Sequence, residues 1–99
     1  MTLPRNSINS AAVSWVDQAG QVHIRVYWSD GYNIGERCFD AGGWTDGAFK
    51  ASGEAVSATL WVANDASNIR VYCTDEGKTV EWCVDNGSAD WYQGGFTLG

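Results

Sequence analysis

An arginine and a glutamate recur at one spacing in this chain. Arg25 lies in His23-Ile24-Arg25-Val26-Tyr27, and Glu36 follows in Glu36-Arg37-Cys38. Arg70 lies in Asn68-Ile69-Arg70-Val71-Tyr72, and Glu81 follows in Glu81-Trp82-Cys83. A single offset of 45 residues relates the two sets. Arginine carries planar N–H donors and no acceptor, whereas ionised glutamate only accepts. Side by side they suit a ligand whose groups both donate and accept, such as hydroxyls. A plain cross-strand ion pair is the alternative, worth about 0–1 kcal/mol when exposed. Two copies, each followed by a tryptophan after a polar, Gly-bearing loop (Trp44 and Trp91), favour a ligand.

The elements that must carry these residues read as strands. Val22 to Trp28 alternates, with Val22, Ile24, Val26 and Trp28 on one face and His23, Arg25 and Tyr27 on the other. Period two marks a strand. Asp17-Gln18-Ala19-Gly20 and Ser29-Asp30-Gly31 carry turn chemistry. Around them, Ala11–Val16, Ile34–Asp40 and Gly47–Lys50 are expected as the other strands of the first copy. The second copy repeats the order: Ala55–Ala63, Asn68–Cys73, Thr79–Asp85 and Gly95–Leu98, with a hairpin loop at Asp75-Glu76-Gly77-Lys78. The loop before Trp91 is two residues longer than that before Trp44. No stretch reads as a helix. The expected organisation is an irregular segment over 1–10, one unit over 11–53 and a second over 54–99. Repeats of this period mark stacked units such as propeller blades. Each is too small to bury a sizeable core alone. Propellers use about 4–8 blades, so two cannot close a ring and the chain must self-associate or belong to a longer array.

Composition narrows the function classes. The formal charge of −6 argues against phosphate-backbone binding, and the scattered basic residues form no stripe for anionic lipid. One histidine and no ligand spacing argue against a metal site, and no cofactor is expected. The three cysteines are expected to be free thiols, since counting back from the hairpin sets Cys83 nearer Arg70 than Cys73. Neither a secretory signal nor a membrane-spanning apolar run is expected, and localisation stays open. Trp15 and Trp61 are expected in the core, Tyr27 and Tyr72 between sheets, Asp40 and Asp85 as turn caps, and His23 as a polar strand residue.

Ile-Arg-Val-Tyr at 24–27 and 69–72, Glu-Arg-Cys at 36–38, Glu-Trp-Cys at 81–83, and Gly-Trp with Gly-Ala-Phe at 43–49 resemble one family. It is that of the fucose-specific six-bladed β-propeller lectins, both the fungal Aleuria-type and the short bacterial Ralstonia and Burkholderia-type. The resemblance implies an all-β fold of two four-stranded antiparallel blades per chain, completed to six blades by trimerisation. It implies sugar clefts between blades, without catalysis or metal. One cleft would lie within the chain, where Arg25 and Glu36 face Trp91. The other would form in a homotrimer, where Arg70 and Glu81 face Trp44 of a neighbour. Many members carry a tryptophan after the third-strand cysteine; here Phe39 keeps a stacking face and Val84 does not.

The residue types suit L-fucose and fucosylated glycans. Arginine and glutamate satisfy adjacent ring hydroxyls with charge-assisted bonds, and an indole covers the C–H groups and methyl. A glycosidase needs two carboxylates about one bond, and each cleft offers one clear candidate. Two other readings stand beside the lectin: a protein-interaction propeller with structural Arg/Glu pairs, and a fragment of a longer tandem-repeat lectin.

Overall fold

Strict alternation over short segments leaves this chain one way to bury apolar surface, which is sheet against sheet. The computed structural model describes residues 9–99 and contains no helix among them. Nine strands form: β1 (Asn9–Val16), β2 (Val22–Ser29), β3 (Asn33–Asp40), β4 (Gly43–Asp46), β5 (Ala51–Ser52), β6 (Ala55–Ala63), β7 (Ala66–Asp75), β8 (Lys78–Val84) and β9 (Tyr92–Leu98). They make two antiparallel sheets in series, in the order β1-β2-β3-β4, with β5 also on β3, and β6-β7-β8-β9. The all-β, two-sheet architecture expected from the repeat is what the chain adopts. The irregular lead-in expected over 1–10 falls mostly outside the described residues, and β1 already runs from Asn9.

The fourth strand differs from the expectation. Gly47–Lys50 is not a strand; β4 lies before it and β5 after it. The chain leaves the sheet there to insert Phe49 between the two sheets, where it is buried. Its ring meets Tyr27 edge-on at 5.7 Å, Trp91 at 4.5 Å and Trp82 at 6.3 Å. Core filling overrides strand continuity at this point.

Register assigns the faces. Arg25 is opposite Cys38, Tyr27 opposite Glu36, and Ala11 opposite Tyr27, so these side chains share one face of the first sheet. That face packs on the Val56, Ile69, Val71, Cys73 and Val84 face of the second sheet, giving one core. The equivalent face of the second sheet, with Arg70 opposite Cys83 and Tyr72 opposite Glu81, is open. So is the first sheet's other face, which carries Trp28, Phe39 and Trp44. The two repeats are thus stacked in one sense, front on back. All three cysteines are buried free thiols, as expected, and burial pushes Cys73 up to about 11.

Two-residue turns with positive φ close several hairpins. Ala41-Gly42 (φ 49° and 85°) and Glu76-Gly77 (φ 50° and 80°) match the twist of their flanking strands.

Replacing Phe49 by alanine should cost about 3–5 kcal/mol of folding stability, the range for emptying a buried aromatic position. Equilibrium urea unfolding measures it.

Candidate functional site

Each sugar-site candidate starts on β2 or β7, whose alternation aims Arg and Tyr at the same face. In the first repeat, Arg25 Nη1 donates to Ile24 O at 3.0 Å and to Asp40 Oδ1 at 3.1 Å. In the second, Arg70 Nη1 donates to Ile69 O at 3.1 Å and to Asp85 Oδ1 at 2.7 Å. The carboxylate matched to each arginine is therefore the aspartate at the end of the third strand, not Glu36 or Glu81. Asp40 and Asp85 were expected to cap turns; they anchor the guanidinium groups instead.

The glutamates are anchored separately. Tyr27 donates its hydroxyl to Glu36 Oε2 at 2.8 Å, and Tyr72 does the same to Glu81 Oε2 at 2.8 Å. The other oxygen accepts from a backbone N–H, that of Phe49 at 3.3 Å or of Phe96 at 3.2 Å. Burial first, and then the charge of Glu36, drive Tyr27 far above an ordinary tyrosine, so it stays a donor. The Tyr72 hydroxyl, then the Phe96 N–H, hold Glu81 below the usual carboxylate range. The Tyr92 hydroxyl, then Arg70, do the same for Asp85.

Trp15 and Trp61 were expected in the core. Trp15 is half-buried and Trp61 exposed, and each lies under an arginine, with the guanidinium carbons at 5.0 Å and 4.7 Å from the ring centres. A cation over an indole face adds about 0.5–1 kcal/mol at an exposed site. His23 is more than a polar strand residue: its two ring nitrogens meet Asp40 Oδ1 at 2.5 Å and Asp17 Oδ2 at 2.8 Å.

One cleft lies within the chain. Its volume is about 210 Å³, and Arg25, Glu36 and Ala48 of the first sheet line it with Ile69, Val84 and Trp91 of the second. This is below the ~300–1,000 Å³ of drug-sized pockets and suits a single small ring. The three residues expected around it, Arg25, Glu36 and Trp91, all line it, and Val84 does too. Trp91 also packs edge-on to Tyr27 at 6.0 Å, so it ties the sheets together as well as walling the cleft.

The remaining expected residues sit on two open faces. Arg70 and Glu81 are on the second sheet; Phe39 and Trp44 are on the first, their rings 5.3 Å apart. A hollow lined by Gln21, Val22, Phe39, Ala41 and Gly42 lies beside that pair. The 45-residue offset carries Ser67, Val84 and Gly87 of the complete cleft onto Val22, Phe39 and Gly42. The open hollow thus presents the residues equivalent to those by which the second sheet lines the complete cleft. Within a single chain the structure does not bring Arg70 and Glu81 to Trp44.

Sequence reasoning missed Tyr27 and Tyr72 as glutamate anchors and Asp40 and Asp85 as arginine anchors. The signal was present, because all four obey the same offset as the arginines. It also missed Gly47 and Gly94. A Cβ on Gly47 would stand 2.0 Å from Glu36 Oε1, and one on Gly94 2.1 Å from Glu81 Oε1. Only glycine lets the chain pass so close to the carboxylate. Among the described residues no cluster of His, Cys, Asp and Glu is arranged to hold a metal ion. Among those residues no helix is long and apolar enough to cross a membrane.

Antiparallel sheets repeated in series and stacked front on back define a class of all-β fold consistent with propeller blades, and the comparison with known sequences gives it a family. The chain belongs to the fungal fucose-specific lectins, which it matches over residues 1–99. It is similar to a fucose-specific lectin of Aspergillus fumigatus, 35% identical over 80 residues that cover 74% of this chain and 24% of that protein. The chain thus spans about a quarter of that relative's length.

Gly47→Ala should swing the Glu36 carboxylate out of the cleft and strand the buried Tyr27 hydroxyl. The expected loss of stability is about 1–3 kcal/mol, the cost of an unsatisfied buried polar group. Thermal unfolding checks the stability, and a structure of the variant checks the rotamer.

Proposed function

We propose that this chain binds L-fucose and fucosylated glycans, without catalysis, in clefts between adjacent sheets. The observation that carries this reading is the division of labour on the two charged groups. Arg25 uses Nη1 on the protein, while Nε and Nη2 have no hydrogen-bond partner among the described residues. Glu36 takes its short bond on Oε2, leaving acceptor capacity on Oε1. Free donors and free acceptors therefore meet in one cleft of monosaccharide size. Ile69, Val84 and Trp91 supply apolar wall for the ring C–H groups and methyl. An analogue lacking one hydroxyl would leave a charged group unpaired, which disfavours it by about 1–3 kcal/mol or more.

Glu36 is the one carboxylate among the described residues lining that cleft. Glycoside hydrolysis by paired carboxylates needs a second one facing the same bond. This supports binding rather than turnover.

The second cleft needs a second copy. The open face of the second sheet holds an apolar hollow of about 460 Å³, bordered by Tyr72, Thr74, Thr79, Phe96 and Leu98. In the first repeat the equivalents of Tyr72 and Phe96 are Tyr27 and Phe49, buried in the shared core with Val71 and Cys73. The offset maps Val71 and Cys73 onto Val26 and Trp28 of the open face of the first sheet. Trp28 is 38% exposed and Leu98 63% exposed, so the pair offers a large apolar contact where no linker joins the units. Front-on-back docking is heterologous, and closes a ring only at a fixed number of units. Three chains give the six sheets of the lectins this sequence resembles, with Arg70 and Glu81 facing Phe39 and Trp44 of the neighbour. A longer tandem array would cover the same faces with further repeats, a reading favoured by the greater length of the Aspergillus relative.

Free L-fucose should raise the melting temperature, and calorimetry should show two classes of site per chain. Arg70→Ala should abolish the class that depends on the neighbour. Arg25→Ala should cost less total binding, because Val84 adds no aromatic face beside Trp91, whereas its equivalent Phe39 adds one beside Trp44. No heat with millimolar fucose would remove the proposal. Independently, Trp28→Ser should reduce a three-chain mass in solution to that of one chain. Sedimentation analysis reads it, and an unchanged mass would count against this docking.

A further inference from the structure

The two repeats anchor their arginines through aspartates that differ in what else they hold. Asp85 takes the Tyr92 hydroxyl besides Arg70. Asp40 takes His23 Nδ1 besides Arg25, both on the same oxygen, Oδ1. Asn68 stands where His23 stands and bonds to Ala66 O and Asn86 N instead.

We propose that His23 is a positioning residue for Arg25, and that its protonation strengthens hydroxyl binding in the cleft within the chain while leaving the Arg70 cleft unaffected. The proposal rests on the fucose reading of that cleft.

The geometry requires a charged imidazole. Both ring nitrogens face carboxylate oxygens, and only the imidazolium donates from both. A neutral ring would turn a lone pair on one of them, so one contact must open. Asp17 is the fixed partner. Its Oδ1 accepts from the N–H groups of Ala19 and Gln21, both at 2.9 Å, and its side chain is the more buried of the two. Asp40 has the freer side chain and is the one to move, taking the anchor of Arg25 with it.

Among the described residues, the groups around His23 come from several elements. Asp17 comes from the β1–β2 turn, Asp40 from the end of β3, and Arg25 from β2 through Asp40. Trp15 of β1 stacks on the ring at 4.8 Å. From the second sheet, Asp65 is tied to the Gln18 N–H of the same turn at 3.0 Å. The bonds to Asp17 and then to Asp40 raise His23 above its ordinary 6.5. A raised value means that the anchoring is complete below the ordinary pKa and is lost as pH rises through the folded one. Tyr92 is raised from 10.0, chiefly by its bond to Asp85, so its own contact does not titrate in that window.

The test uses Arg70→Ala, which leaves the cleft within the chain, and Arg25→Ala, which leaves the other. Fucose affinity is measured by calorimetry from about pH 6 to about pH 9, the span in which a histidine discharges. In Arg70→Ala the affinity should fall on the order of threefold to tenfold, the equilibrium effect of one net hydrogen bond. In Arg25→Ala it should stay flat. Adding His23→Asn to Arg70→Ala should flatten the profile at the weaker affinity. As His23 is the one histidine of the sequence, NMR can follow it directly. Fucose should raise its pKa in Arg70→Ala, because linkage is reciprocal. Equal slopes in the two backgrounds, a slope that survives His23→Asn, or a histidine titration unmoved while fucose still binds would each overturn the proposal. No fucose binding in Arg70→Ala at any pH would instead overturn the reading of the site on which it rests.

Discussion

A cation and an anion must share one cleft without neutralising each other, and the rest of this structure follows from how that is arranged. Placed in contact, a guanidinium and a carboxylate satisfy one another and leave little for a ligand. Here each has its own keeper. Asp40 holds Arg25 and Tyr27 holds Glu36, and the second repeat does the same with Asp85 and Tyr72. Preorganised donors and acceptors lose little entropy on binding, which lets a site of few residues be selective. The close passage of Gly47 and Gly94 beside the glutamates belongs to the same device, since a side chain there would push the carboxylate aside.

Stacking the repeats in one sense has a geometric consequence. The face that carries the polar anchors is covered in the first sheet and open in the second, while the apolar back is covered in the second and open in the first. The cleft therefore belongs to a junction between sheets, not to a sheet. One junction lies inside the chain and is complete. The hollow beside Phe39 and the Arg70–Glu81 face are left open on opposite sides of the chain.

The repeats have diverged where junctions differ. Phe39 and Val84 stand at equivalent positions, an aromatic ring on the open face of the first sheet and an aliphatic side chain in the cleft within the chain. The loop before Trp91, longer by two residues, lets that indole pack against Phe49 and Tyr27. Trp44, on its tighter turn, stays in β4 and exposed. His23 and Asn68 differ in the same way, one tied to two carboxylates and the other to backbone.

The 45-residue offset and the period-two alternation determined the number of sheets, their antiparallel order and the face on which Arg25, Glu36, Arg70 and Glu81 lie. These properties are local, because side chains alternate along any strand and a repeat of pattern is a repeat of structure. Tertiary structure decided the partners. That Arg25 pairs with Asp40 and not Glu36 depends on side-chain reach across strands, which alternation leaves open. That Phe49 leaves the sheet edge to fill the core, and that Trp15 packs against the core while its equivalent Trp61 is exposed, depends on which face finds a neighbour. Two identical patterns in one chain meet different surroundings, so only packing in space could tell the covered copy from the open one.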